Sequence, residues 1–367
     1  MCPGALSVNF CFDKFWIPEG GKFFVYSKDK KHSIGAFTSR NNKGDRENVR
    51  GFATGLVYGS EVVLEYYQPK EITTDAIISI EYIVHGYRYI SIAKGNLDCM
   101  VNVNCSEGQN WQNEKNAVAL MILEGERCCT GSLINTTDLS RKPYFLTAEH
   151  CVRPADSANS PYLDDYVFYW NYEEPGCESS YFVRYYTTSG AIVVANYRAI
   201  DSALLKLSED PKNLSNYTPY YLGWDCSGQS GDPGVCIHHP NGDFKKNSTV
   251  ATQPVAGIAT WTVHWRATEN GHGTTDDGSS GSPLLTSEHK VIGHLGYGNS
   301  NCNNLGGEST FRRFDVSWTG YDNDSIHRKM SCWLDSLGTG EQAIEGLQVI
   351  SSTVTKTSND SIFIIFG

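Results

Sequence analysis

Short apolar segments separated by polar turns dominate this sequence from Cys99 onward. Runs of this length, rich in β-branched and aromatic residues, are typical of strands. Their spacing predicts a β-barrel or β-sandwich of roughly 200–250 residues. The segments are NAVALMIL (116–123), PYFLTAEH (143–150), DYVFYWNY (165–172), AIVVANY (191–197), SALLKL (202–207) and VIGHLGYG (291–298).

Residues 7–92 carry a strand pattern of their own, in KFFVYS, VVLEYY and AIISIEYIVHGY, with turn segments between them. This part contains no cluster of catalytic residue types, which favours a small structural β module. SIAKGNLD (91–98) has the composition of an exposed linker. We therefore expect units at 1–94, 95–350 and 351–367, the last being a linker or the start of a further β region.

One segment has helical periodicity. In SIHRKMSCWLDSL (325–337) apolar residues recur near every third or fourth position, and Ser325 is placed to be its N-cap. The pattern as a whole predicts an all-β protein with one helix near its C-terminus.

Composition narrows the function class. The chain has 367 residues, 40% of them hydrophobic, and a net charge of −11. Enough apolar side chains are present for real cores, and the negative charge argues against nucleic acid or an anionic membrane surface as a partner. Protein or peptide partners fit better, and we expect a monomer.

Twelve cysteines, scattered along the chain and not grouped in CxxC pairs, favour disulfides in an oxidising compartment over a structural zinc site. The N-terminal MCPGALSVNFCFDKFW has no signal-peptide pattern, and no apolar run reaches the length of about 18 residues that spans a membrane. We expect a secreted protein whose natural beginning, and its continuation past residue 367, are missing from this chain.

Three segments carry reactive side chains. His150 ends FLTAEH, Asp201 precedes the apolar run SALLKL, and GSSGSP (278–283) places serines between glycines. Each alone fits a bland interpretation, such as a structural histidine, a turn aspartate or a flexible loop. Together they supply a nucleophile, its base and the anion that orients the base.

These segments resemble the three catalytic segments of chymotrypsin-like serine proteases. More closely, residues 98–347 resemble the bacterial lysyl endopeptidases, and residues 7–92 resemble the pro-segment of that family. The likeness rests on DCMVNVNCSEGQNWQNEKNAVALMI, CTGSLINTT, YWNYEEPGC, GWDCSG, IHHPNGDFKKNST, GSSGSPLL and WLDSLGTGEQAIEGL. It implies a double β-barrel protease domain that needs no cofactor, preceded by a β-rich pro-segment that acts as its partner.

The resemblance also implies roles. His150 would be the general base and then the general acid, Asp201 would orient it, and Ser280 would attack the scissile carbonyl. The N–H groups of Gly278 and Ser280 would form the oxyanion hole. Ser279, the other hydroxyl of the loop, receives no catalytic role.

The resemblance to the family also implies three disulfides, which are Cys99–Cys302, Cys105–Cys177 and Cys129–Cys151. Cys226 and Cys236 are spaced to close a short loop and form a fourth candidate pair. Cys2, Cys11, Cys128 and Cys332 receive no pairing.

Substrate specificity is left open. The family places an aspartate under the substrate lysine, and the matching segment GGESTFRRFDVSW puts Ser309 there, with Glu308 beside it. An inward Glu308 would still match a basic P1 residue, whereas Ser309 in the pocket would leave lysine without a buried partner. Gly296 stands where the family has a pocket-lining histidine. Asp276 and Asp277 are expected at the rim.

Other expectations concern processing and competing functions. Lys94, just before Gly95, is the expected cleavage site for maturation. A barrel that only binds its partners is the main alternative from another class. A zinc hydrolase is a further one, but no HExxH-like spacing supports it. Its candidate ligands would be His238, His239, His264, His272 and His294.

Overall fold

Mainly antiparallel strands make up most of the regular structure in the described residues. The computed structural model describes residues 1–87, 97–152, 162–178, 184–320 and 326–349, and the backbone of 352–356 and 362–366. Lys94 and Ser325 lie outside the described residues, so the processing site and the helix N-cap stay predictions.

The N-terminal unit consists of two small sheets around an aromatic core. One sheet joins β1 to β4, β5 and β7, and the other has the order β3-β2-β6. Phe12, Phe15, Phe23 and Phe52 contact one another in edge-on and stacked pairs in its centre. The strands are β1 (Ser7–Trp16), β2 (Lys22–Ser27), β3 (Ser33–Phe37), β4 (Phe52–Ala53), β5 (Val57–Tyr58), β6 (Val62–Tyr67) and β7 (Ile77–Gly86).

The first barrel is closed, in the order β10-β11-β14-β13-β12-β9. Strand β9 is buried along its whole length because it has apolar neighbours on both faces. Met121 and Leu123 join the barrel core, whereas Leu120 and Ile122 pack with residues of the N-terminal unit. The strands, with β8 preceding them, are β8 (Val101–Asn102), β9 (Val118–Leu123), β10 (Arg127–Leu133), β11 (Tyr144–Thr147), β12 (Tyr162–Trp170), β13 (Tyr186–Tyr197) and β14 (Ser202–Leu207).

The second barrel is built from a ten-stranded sheet whose main path runs β19-β20-β23-β22-β21-β17-β18-β8. A bridge between Val250 and Trp265 joins the end of β18 to the end of β20 and closes the ring. Its strands in this part of the chain are β16 (Gly223–Asp225), β17 (Pro233–His238), β18 (Lys246–Thr249), β19 (Val255–Ala256), β20 (Thr260–His264), β21 (Pro283–Thr286), β22 (Lys290–Gly298) and β23 (Glu308–Arg313). The preceding strand, β15 (Tyr220–Tyr221), pairs outside this sheet.

The C-terminal part is mostly short. It contains α1 (Phe314–Thr319), α2 (Ser331–Leu334), β24 (Ala343–Ile344), β25 (Leu347–Gln348), β26 (Ser352–Lys356) and β27 (Ile362–Phe366). The expected all-β fold with two barrels after a small β unit is confirmed. The expected C-terminal helix is present but broken into a 3-10 turn at Ile326–Arg328 and the four-residue α2.

Three disulfides are present, Cys99–Cys302, Cys105–Cys177 and Cys129–Cys151. The predicted pair Cys226–Cys236 is wrong, because both cysteines are thiols. Cys236 faces the core of the second barrel, whereas Cys226 packs against the other core cluster, to which Val235 and Ile237 also belong. Burial raises the pKa of Cys226 to about 12. Successive side chains of β17 face opposite sides, so the thiol of Cys236 points away from the cluster that Cys226 contacts.

Among the described residues, no helix has the length and apolar character needed to cross a membrane.

Candidate active site

The three predicted catalytic residues come from both barrels. His150 lies in the 3-10 turn Glu149–Cys151 that follows β11, and Asp201 ends the turn Arg198–Ile200 just before β14. Ser280 lies in the loop before β21. His150 and Ser280 line one cavity of about 1010 Å³. The first barrel therefore supplies His150 and Asp201, and the second supplies Ser280.

Two hydrogen-bonding groups of His150 engage the Asp201 carboxylate. Its backbone N–H donates to Oδ1 (2.9 Å), and Nδ1 lies 3.0 Å from both Oδ1 and Oδ2. Because a carboxylate can only accept, Nδ1 carries the ring proton. Nε2 is left as the basic nitrogen, and about a third of the side chain (36%) is exposed.

The charge state of Asp201 follows from these contacts. Burial raises its pKa, but the hydrogen bonds from the His150 side chain and backbone outweigh burial and hold the pKa below its ordinary value. Its backbone is left-handed (φ 50°), which aspartate tolerates better than most residues. An anion is thus fixed beside the histidine at neutral pH.

The serine loop is held tightly against the first barrel. The Thr130 N–H donates to the Ser280 carbonyl (2.8 Å), and the Thr130 hydroxyl donates to the Gly278 carbonyl (2.9 Å). Gly281 has φ +85°, and a Cβ there would lie 2.2 Å from the Thr147 hydroxyl. Within the described residues, the N–H groups of Gly278 and Ser280 donate to no recorded acceptor, which leaves them for a ligand oxygen.

Ser279 and Ser280 have different environments. Ser279 is fully buried, with its hydroxyl 2.8 Å from His238 Nδ1, whereas Ser280 lines the cavity. Burial lowers the pKa of His238 to about 3, so its ring is neutral. Its Nε2 lies 2.9 Å from the Ser248 hydroxyl, which itself donates to the Thr274 carbonyl. Nε2 is therefore the donor, and Nδ1 accepts a hydrogen bond from the Ser279 hydroxyl.

This support from His238 was missed at the sequence level. The residue stands in IHHPNG and was considered only as a candidate zinc ligand. Its partners come from β18 and the serine loop, both distant in sequence, so no local signal could have identified its role.

The residue predicted to line the specificity pocket, Ser309, belongs to a buried cluster of hydroxyls. Ser309 is fully buried in β23, and its Oγ lies 2.7 Å from Thr275 Oγ1 and 2.8 Å from Ser300 Oγ. Trp265 Nε1 donates to the same oxygen at 3.0 Å. Gly298 lies above it, since a Cβ on Gly298 would come 3.1 Å from Ser309 Oγ. Every one of these groups is neutral.

Glu308 points the other way. It is exposed and pairs across the sheet with His264. Because successive side chains of a strand face opposite sides, Glu308 lies outside the hydroxyl cluster around Ser309. Of the rim residues, Asp277 is exposed and lines the cavity, and Asp276 is half-buried.

The N-terminal unit also reaches the cavity. The end of β7, residues 82–87, lines it together with His150, Gly278 and Ser280. A Cβ on Gly125, in the β9–β10 turn, would lie 2.6 Å from the Val84 side chain. The N-terminal unit thus lies against one side of the cleft.

The histidines considered as metal ligands have other contacts. His239 Nδ1 donates to the Asp243 carbonyl (2.9 Å), and His294 Nε2 donates to the Asp201 carbonyl (2.9 Å). His272 Nδ1 contacts the Gly273 carbonyl, and His264 is exposed. In the described part of the chain, the grouping with metal-ligand proximity is Cys129, His150 and Cys151, whose two cysteines form a disulfide.

Residues 95–311 match the family described as "Lysyl endopeptidase, C-terminal domain". The chain is 30% identical over 217 residues to the lysyl endopeptidase of Pseudomonas aeruginosa, a match that covers 55% of this chain and 44% of that relative. The chain therefore spans less than half the length of this relative. Among solved structures, a serine endoprotease from Yersinia pestis has a TM-score of 0.39 at 16% identity, covering 57% of this chain and 63% of that one. A Glu endopeptidase has a TM-score of 0.34 at 16% identity, covering 54% and 85%.

Proposed function

The chain belongs to the lysyl endopeptidase family, whose match covers more than half of it, and we propose that it is a serine endopeptidase acting through His150, Asp201 and Ser280. The observation that carries this proposal is the pair of hydrogen bonds from His150 to Asp201, with His150 and Ser280 lining one cavity. This pairing leaves His150 Nε2 deprotonated on the side of the cleft.

The proposed mechanism uses these atoms in turn. His150 Nε2 takes the proton of Ser280 Oγ as the oxygen attacks the peptide carbonyl, and Asp201 stabilises the imidazolium that forms. The N–H groups of Gly278 and Ser280 stabilise the oxyanion, each donor contributing about 3–4 kcal/mol to lowering the barrier. His150 then protonates the leaving amine, and water hydrolyses the acyl-enzyme by the same route in reverse.

Labelling with a fluorophosphonate probe tests the proposal. After removal of the N-terminal unit, we expect the native protein to be labelled on Ser280 and not on Ser279, as mapped by mass spectrometry. Heat-denatured protein is the control and should stay unlabelled, because only an aligned histidine activates the hydroxyl. Native processed protein that stays unlabelled would favour a barrel that only binds its partners.

We further propose that the P1 pocket prefers uncharged side chains over lysine. Its support is the neutral cluster of Ser309, Thr275 and Ser300, together with the exposure of Glu308. A lysine side chain that enters such a pocket loses hydration without gaining a carboxylate partner, which costs several kcal/mol. A peptide-library profile of the processed enzyme should therefore show cleavage mainly after small or uncharged residues.

Ser309→Asp should convert the pocket to one that accepts lysine. Trp265 Nε1 and the two neighbouring hydroxyls can donate to the new carboxylate, so its burial is compensated. We expect the ratio of kcat/KM for lysine over an uncharged P1 residue to rise about 100-fold, from pairing of the two charges.

Two variants control for charge and position. Ser309→Asn matches the size without the charge and should not gain lysine cleavage. Glu308→Gln should leave the profile unchanged. A wild-type preference for lysine that Glu308→Gln abolishes would instead assign specificity to Glu308.

We also propose that the protein is secreted and matures by cleavage after Lys94. The three disulfides support an oxidising compartment. N-terminal sequencing of active enzyme purified from the culture medium should begin at Gly95. Active enzyme that retains residues 1–94 would contradict the maturation step.

A further inference from the structure

Arg312 occupies the space beside the proposed catalytic carboxylate. It lies in β23 opposite His294 of β22, and its side chain is 21% exposed. Its Nε lies 3.9 Å from Asp201 Oδ2, on a carboxylate that His150 also contacts. We propose that Arg312 is a positioning residue that holds Asp201 and sets the pH range of the reaction, an inference that rests on the proposed serine peptidase function.

Gly296 makes this position available to the arginine. A Cβ on Gly296 would lie 2.9 Å from Arg312 Nε and 3.4 Å from both Cγ and Cδ. Gly296 does not have a left-handed φ, so its own backbone would accept alanine. The missing side chain is therefore explained by the packing of Arg312. Gly296, predicted to line the substrate pocket, has this packing role instead in our proposal.

The contacts of Arg312 fix its direction. Its guanidinium lies 5.3 Å from the ring centroid of Tyr297, a cation–π contact, and the Tyr297 side chain is itself 59% exposed. Nε is buried and, among the described residues, has no hydrogen-bond partner. At 3.9 Å, its interaction with Asp201 is that of charges rather than a hydrogen bond. The Asp201 anion compensates the hydration that Arg312 Nε loses on burial, which makes the buried position of Nε tolerable.

Three ionisable groups face Asp201 from three elements. His150 comes from the turn after β11, His294 from β22 and Arg312 from β23. Burial lowers the pKa of His294 to about 4, and the charge of Arg312 acts in the same direction, so His294 is neutral. At neutral pH the fixed charges here are therefore the Asp201 anion and the Arg312 cation.

This arrangement has two consequences for catalysis. The guanidinium attracts Oδ2, the same oxygen that His150 Nδ1 contacts, which helps to keep the carboxylate in place beside the ring. It also places a positive charge next to the carboxylate that pairs with the ring, so we expect removal of this charge to favour protonation of His150.

The test compares Arg312→Gln with the wild-type processed enzyme. We expect the midpoint of the acidic limb of kcat/KM to rise by about 0.5–1 pH unit, since a partly exposed cation near the ring is removed. We also expect kcat to fall several-fold with little change in KM. Arg312→Lys keeps the charge and should restore most of the pH profile.

Two further variants separate this role from a merely structural one. Gly296→Ala retains the arginine but displaces it, and should shift the profile in the same direction by less. Arg313→Gln removes a neighbouring arginine that pairs with Asp315 and stacks on Trp261, and should leave the midpoint unchanged. A midpoint in Arg312→Gln that coincides with the wild type would overturn the proposal.

A readout without turnover keeps the two proposals distinguishable. In a Ser280→Ala background, NMR titration of the His150 ring should show the same upward shift on Arg312→Gln. A shift in the NMR midpoint without any peptidase activity in the wild type would support Arg312 and reject the proposed function. An unchanged NMR midpoint alongside normal wild-type activity would reject the role of Arg312 and support the proposed function.

Discussion

Ser280→Ala should reduce peptidase turnover by a factor of about 10⁶ and abolish fluorophosphonate labelling. The methyl side chain cannot form the acyl-enzyme, so only binding and the oxyanion-hole donors remain to stabilise the transition state. The hydroxyl of Ser280 has no structural partner recorded among the described residues, and its loss should leave the melting temperature nearly unchanged. Peptidase assays and fluorophosphonate labelling of the purified, processed variant measure the two losses, and thermal unfolding measures the melting temperature.

Ser279→Ala is the matched control, one residue away in the same loop. It removes the hydroxyl that donates to His238 Nδ1 and leaves that buried nitrogen unsatisfied, which costs about 1–3 kcal/mol of stability. It should remain labelled and active. Loss of labelling in folded Ser279→Ala, with labelling retained in Ser280→Ala, would exchange the assignments of the two serines.

Asp201→Asn should lower kcat by about 10⁴. The carboxylate now accepts from both the backbone N–H and Nδ1 of His150. An amide has a single acceptor oxygen and presents an NH₂ group that favours a bare Nδ1. Nε2 would then carry the proton, and the ring could no longer act as a base toward Ser280. The substitution is nearly isosteric, so the loss should appear in kcat without a comparable loss of folding stability.

Asp210→Asn provides the matched control at the opposite end of β14. The strand between the two aspartates extends about 20 Å. Asp210 caps the 3-10 turn Pro211–Asn213, a role that asparagine also performs. The peptidase activity of Asp210→Asn should stay within about twofold of the wild-type activity. Equal losses in both variants would indicate a general effect of charge rather than an orienting role for Asp201.

The cysteines show that local sequence did not suffice to predict every disulfide pairing. Cys129–Cys151 lies close to the catalytic segment, and its pairing followed from a motif shared over a long stretch. Cys226 and Cys236 were joined only by their spacing. That spacing leads from β16 into β17, where Cys236 faces one core and its neighbours Val235 and Ile237 face the other. Proximity in sequence could not predict which core each thiol would enter.

The sequence by itself determined the strand-rich architecture and the residue types of the candidate catalytic site. Apolar runs bounded by turns are a local property, and so are the motifs around His150, Asp201 and Ser280. Only the tertiary structure decided which of Glu308 and Ser309 is buried, because a one-residue change of register reverses every side chain of a strand. It likewise decided the position of Arg312, whose partners Asp201, Gly296 and Tyr297 meet only when β22 and β23 pair beside the first barrel.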